Sequence, residues 1–189
     1  MRALAVLFAL AAGCGDDDGH GDADSDTDVD VDADSDTDSD TTTHVEECSG
    51  LAEESAANIA LEDDLIALVN ETRAAGATCG GTAIDPQPPL EVSQEIRCAS
   101  RAHAQQMATG GAIVATDAAD YDSRFRSYGY FGTYFSGTAT EDAATAADAM
   151  DDWMPLSGSC RLIMNDRPDD FGVGTAQGYW SIGFGSTNP

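Results

Sequence analysis

One amphipathic helix with both of its ends marked, within residues 88–111, constrains this chain more than any other feature. Pro88 and Pro89 stop an upstream element from running into it, because proline restricts the residue before it. Ser93 stands where an N-cap belongs, with Gln94 and Glu95 in the first turn. Ile96, Ala99, His103 and Met107 then recur three or four apart, the period of a helix laid on a core. Gln94, Arg97, Arg101 and Gln105 fall on the opposite, polar face, and Gly110-Gly111 ends the run.

The N-terminal quarter follows different physics. All ten even-numbered positions from Asp22 to Asp40 are aspartate. Such a run buries nothing and repels itself, so residues 15–47 are expected to form a disordered, extended tether. Alternating aspartates also occur in calcium loops, but those loops need a Gly turn and a terminal Glu, and this run has neither. Before it, Met1-Arg2 and the apolar residues 3–12 have the form of a secretory signal too short to span a bilayer. Gly13-Cys14 follows directly, in the manner of a bacterial lipoprotein box with Ala11 where Leu is usual, so Cys14 is the expected lipidation site. The alternative is an ordinary signal peptide cleaved nearby.

Residues 48–189 are enough for one core. They carry 20 acidic residues against seven arginines, and the chain has no lysine. A surface of that sign cannot neutralise phosphate, which excludes nucleic acid and anionic lipid headgroups as partners. Leu61 to Ala75 is predicted helical, with Leu61, Leu65, Leu68, Val69 and Thr72 inward and acids 62–64 at its start. Residues 78–89 read as loop, 120–128 as a helical turn and 131–136 as a candidate strand. Thr140 is the expected cap of a further helix that Pro155 stops. Residues 171–176 and 179–184 form a predicted antiparallel hairpin around Gln177-Gly178. Helices first and strands last give an α+β class, with helices packed on a small antiparallel sheet. The remaining cysteines, Cys48, Cys79, Cys98 and Cys160, make two disulfides in an exported domain, with three connectivities open.

Several short motifs recur in one order: Leu68-Val69-Asn70-Glu71-Thr72-Arg73, Ala77-Thr78-Cys79-Gly80-Gly81, Ala102-His103-Ala104-Gln105-Gln106-Met107, Trp153-Met154, Ile163-Met164-Asn165 and Phe171-Gly172-Val173-Gly174. In that order they resemble the CAP superfamily, or SCP-like extracellular domain, from about Leu61 to Gly185. The resemblance implies an α-β-α sandwich. It also implies a Cys79–Cys160 disulfide, which would leave Cys48 with Cys98. Relatives in that family hold a divalent metal with two His and acidic residues in a groove. The matching positions here are Ala115, Thr133 and Ser159, in Val114-Ala115-Thr116, Gly132-Thr133-Tyr134 and Gly158-Ser159-Cys160. None of the three is a metal ligand of the usual kind.

His103 is the one histidine of residues 48–189, since His20 and His44 lie before them. On an apolar helix face it is expected to be a satisfied core residue. The acids read as solvated surface. The sequence therefore predicts a monomeric, lipid-anchored, non-catalytic binding module of the bacterial envelope. It has no cofactor, and its ligand is an unidentified molecule outside the membrane. The alternative is an exported hydrolase or protease of the same family using other residues.

Overall fold

The computed structural model describes residues 48–114 and 116–187. The segments expected as signal and tether, the expected lipidation site Cys14 and the groove position Ala115 lie outside the described residues. No helix among the described residues is long and apolar enough to cross a membrane.

The elements run α1 (Ala56–Ala75), β1 (Ala77–Cys79), β2 (Thr82–Ile84), β3 (Glu91–Val92), α2 (Gln94–Gly110), α3 (Ala118–Ser127), β4 (Tyr134–Thr140), α4 (Ala146–Trp153), α5 (Ser157–Ile163), β5 (Asp170–Ala176) and β6 (Tyr179–Ser186). The main sheet has the order β3-β5-β6-β4. The β4–β6 and β5–β6 pairs are antiparallel, while the two-residue β3 runs parallel to β5. The sheet is thus antiparallel with one short parallel edge. The stretch 78–89, expected as loop, instead contributes to a separate β1–β2 hairpin around Gly80-Gly81.

Alternation along the strands gives the sheet two faces. One carries Phe171, Val173, Trp180, Ile182 and Phe184 and packs with Leu65, Val69, Met150, Trp153 and Ile163 of α1, α4 and α5. The other meets α2 and α3, where Ile96, Tyr121, Phe125 and Tyr130 make a second cluster. Helices on both sides of one sheet make the α-β-α sandwich.

Helix α2 follows its sequence signals. The Ser93 side chain accepts from the Ile96 N–H, and Gly111 closes the helix in the left-handed conformation. Its polar face does not. Arg97 and Arg101 are buried, and so is Glu62, which is 0% exposed. Glu62 accepts from Arg97 Nε at 2.9 Å and from Arg101 Nη2 at 2.6 Å, and Arg97 also reaches Asp63 at 2.8 Å. A helix seated deep against a sheet must bury its flanks, so its two guanidiniums need carboxylates from α1. Because α1 begins at Ala56, capped by Ser55, acids 62–64 lie along the helix rather than at its start.

Two glycines set the depth at which α2 sits. A Cβ on Gly172 would lie 2.2 Å from Arg97 N, and one on Gly174 would lie 2.2 Å from Arg101 N. The helix backbone therefore rests directly on bare β5 backbone. Elsewhere, Arg73 is 1% exposed and donates to the carbonyls of Pro88, Ile163 and Asn165. It satisfies carbonyls at the C-terminal end of α5 that the helix itself leaves open.

Thr140 is the last residue of β4, not a helix cap. Thr145 caps α4 instead, in a capping box with Asp148. Disulfides join Cys48 to Cys98 and Cys79 to Cys160. The first fixes the start of the described chain to α2, and the second fixes the β1–β2 hairpin to α5.

Candidate functional site

The site is built on β4. Its alternate residues Tyr134, Ser136, Thr138 and Thr140 all carry hydroxyls and share one face. Along that face Thr138 Oγ1 lies 3.0 Å from Ser159 Oγ on α5. Ser136 Oγ and Asn165 Nδ2 both donate to Tyr134 Oη, at 3.1 and 2.9 Å. Thr140 Oγ1 donates to Asp152 at 2.7 Å, and the Arg167 guanidinium lies 5.1 Å from the Tyr134 ring centre. Tyr134, Ser136, Thr138, Ser159 and Asn165 are all partly exposed. The result is a half-buried row of hydroxyl and amide groups beside α5.

The opposite face of β4 is filled by aromatic rings. A Cβ on Gly137 would lie 2.6 Å from the Tyr121 ring, and Phe135 packs against Phe125 and Tyr130. Burial pushes the Tyr121 hydroxyl above its ordinary pKa, opposed by a hydrogen bond with Thr116.

Of the groove positions named from sequence, the structure places Ser159 in the row. Thr133 is exposed, and its N–H donates to Ser186 O at 2.7 Å. It precedes Thr138 by five residues, about 16 Å along an extended strand. The structure therefore does not bring Thr133 and Ser159 together; the residue facing Ser159 is Thr138, in Gly137-Thr138-Ala139. The period-two recurrence of hydroxyls from Tyr134 to Thr140 is the sequence signal that points to it.

His103 is 0% exposed. Nε2 lies 3.1 Å from the Val114 carbonyl and Nδ1 lies 3.0 Å from Ser181 Oγ. A carbonyl can only accept, so Nε2 carries the proton and Nδ1 accepts from the serine hydroxyl. Burial holds the imidazole below its usual pKa, helped by the nearby Arg124. It is a neutral strut joining α2, β6 and the loop after α2.

The donors in the row do not fit zinc. Ser159 and Thr138 present neutral hydroxyls already bonded to each other, whereas zinc takes imidazole, thiolate or carboxylate. Among the described residues no group of three or more His, Cys, Asp or Glu is placed to hold a metal ion.

A second concavity, a cleft of about 480 Å³, lies where Ser93-Gln94-Glu95 meets Tyr130, Phe131 and Asp170. Tyr130 donates to Asp170 Oδ2 at 2.7 Å. Burial raises the Asp170 pKa, the Tyr130 bond opposes that, and Asp169, Glu91 and Glu95 add to the rise. Here, and at Glu62, the surroundings do single out acids that the sequence reading left as solvated surface.

The sequence profile of the cysteine-rich secretory protein (CAP) family matches residues 66–182, more than half the chain. No curated protein is matched by sequence. Among solved structures, the chain is similar to an extracellular SCP-domain protein of Bacillus anthracis, at 12% identity and a TM-score of 0.60 over 72% of this chain and 45% of that one. A cysteine-rich secretory protein of Staphylococcus aureus follows at 11% identity and 0.58, over 72% and 41%. An outer surface protein of Borrelia burgdorferi matches at 12% identity and 0.53, over 71% of this chain and 96% of that one. This chain spans under half the length of the first two, and likenesses at such identity carry the fold alone. The family profile carries more, and with the sandwich it fits, it shows that the chain belongs to the CAP, or cysteine-rich secretory protein, family.

Proposed function

We propose that this is an exported, surface-tethered CAP domain that binds a polar ligand and catalyses nothing. The observation that carries the reading is the Thr138–Ser159 pair. A nucleophilic serine needs a base within hydrogen-bond reach. Ser159 instead meets another hydroxyl, and the neutral His103 is engaged by Ser181 and Val114. Hydroxyls and an amide in a row are suited to hydrogen-bonding a sugar or a peptide. A fluorophosphonate probe, which labels activated serines, is expected to leave Ser159 unmodified. Labelling at Ser159 that stops in Ser159→Ala would replace this reading with the hydrolase alternative.

Export rests on the apolar residues 3–12 and on the extracellular and outer-surface proteins that share the fold. Anchoring by lipid rests on Gly13-Cys14 after that run, with the Asp-rich segment as the spacer. Cell fractionation checks it: Cys14→Ser is expected to move the protein from the membrane to the soluble fraction. Unchanged membrane association would remove the anchor from the account.

A further inference from the structure

We infer that β4 takes up an extended peptide from another molecule as an added strand, paired along its open edge. This rests on the binding reading above and names the ligand class.

The two edges of the main sheet differ in kind. The β3 edge is two residues long, begins with Glu91 and follows Pro88-Pro89. Shortness, charge and proline are the usual protections against strand addition. The β4 edge has none of them. Its seven residues, Tyr134–Thr140, pair with β6 in unbroken register and include no charge and no proline. Among the described residues no strand lies on its other side. Residues 134–139 are all partly exposed, and Ser136, Gly137, Thr138 and Ala139 are small enough for a second backbone to approach. An edge strand presents alternate N–H and C=O groups outward, and pairing with an extended peptide satisfies them.

Charge says what kind of peptide fits. The described domain is strongly acidic, yet two of its three exposed arginines, Arg126 and Arg167, flank β4. Arg126 lies 5.3 Å from the Phe135 ring centre and Arg167 lies 5.1 Å from that of Tyr134, on opposite faces of the strand. Arg126 is paired with Asp122, while Arg161 and Arg167 have no carboxylate partner among the described residues. An added strand with two adjacent acidic residues would offer one to each face. A second copy of this chain is disfavoured, because pairing two copies sets one acidic domain against another.

The test is fluorescence anisotropy of the full chain with a labelled acetyl-Val-Thr-Asp-Asp-Thr-Val-amide. Saturable binding is expected. N-methylation of one alternate set of peptide amides should weaken it at least tenfold, and of the other set hardly at all, since only one set faces the edge. Arg126→Gln with Arg167→Gln should weaken it by a similar factor at low salt, and a Lys-Lys peptide should not bind. Equal effects of the two methylated sets, or no saturable binding, would overturn strand addition. So would a dimer in sedimentation that Ser136→Lys dissolves, because the edge would then belong to a second copy. A neutral chitooligosaccharide separates this from the reading beneath it. If the sugar binds through Thr138 and Ser159 while the peptide does not, strand addition fails and the binding module stands; if neither binds, both fail.

Discussion

Glu62→Gln is expected to cost about 3–5 kcal/mol, because it strips the charge from a buried carboxylate that two guanidiniums depend on. The substitution keeps the shape of the side chain, so packing is nearly unchanged. What changes is that Arg101, 2% exposed, loses its carboxylate, and Arg97 is left with only the half-exposed Asp63. Whole-domain stability is about 5–15 kcal/mol, so this is a large fraction of it. Denaturant unfolding should show a lower midpoint with the same slope. A change below about 1 kcal/mol would mean that water reaches the cluster and that α2 is less deeply seated than described.

Gly174→Ala tests the same packing from the sheet side. The new methyl would sit 2.2 Å from Arg101 N and 2.4 Å from its Cα, both backbone atoms that cannot rotate away. Helix α2 would have to lift off β5, carrying Arg97 and Arg101 from Glu62. Overpacking costs about 1–3 kcal/mol where side chains can yield, and this site should lie at or above the top of that range. Gly158→Ala is the control, since a Cβ there meets nothing within 4 Å. Equal stability of the two variants would contradict the close helix–sheet contact.

Both effects concern contacts that local sequence hides. Glu62 and its arginines are 35 and 39 residues apart, and along α2 alone Arg97 and Arg101 look like a solvent face. Signals that act within a few residues were legible. Ser93 and Gly111 bound α2 as their chemistry requires. Gln177 and Gly178 both adopt positive φ in the turn between β5 and β6, as a two-residue hairpin needs. The cap of α4 shows the limit of such reading. Thr140 and Thr145 are both threonines with an acid within the next three residues, and only the continued pairing of Thr140 with Trp180 assigns the first to the strand. The site divides in the same way. Ser159 was reachable from its place before Cys160, whereas its partner Thr138 is 21 residues away and is set by strand register.

In the proposed reading, the fold is kept while the donors for a metal are not. Calorimetric titration of zinc into the full chain tests it most directly, with Thr138→Ala/Ser159→Ala and His103→Gln variants run beside it. The Asp-rich segment should give only weak uptake that fades with added salt and is identical in all the proteins. A stoichiometric, salt-resistant site of sub-micromolar affinity, lost in the Thr138/Ser159 or His103 variants, would contradict the account.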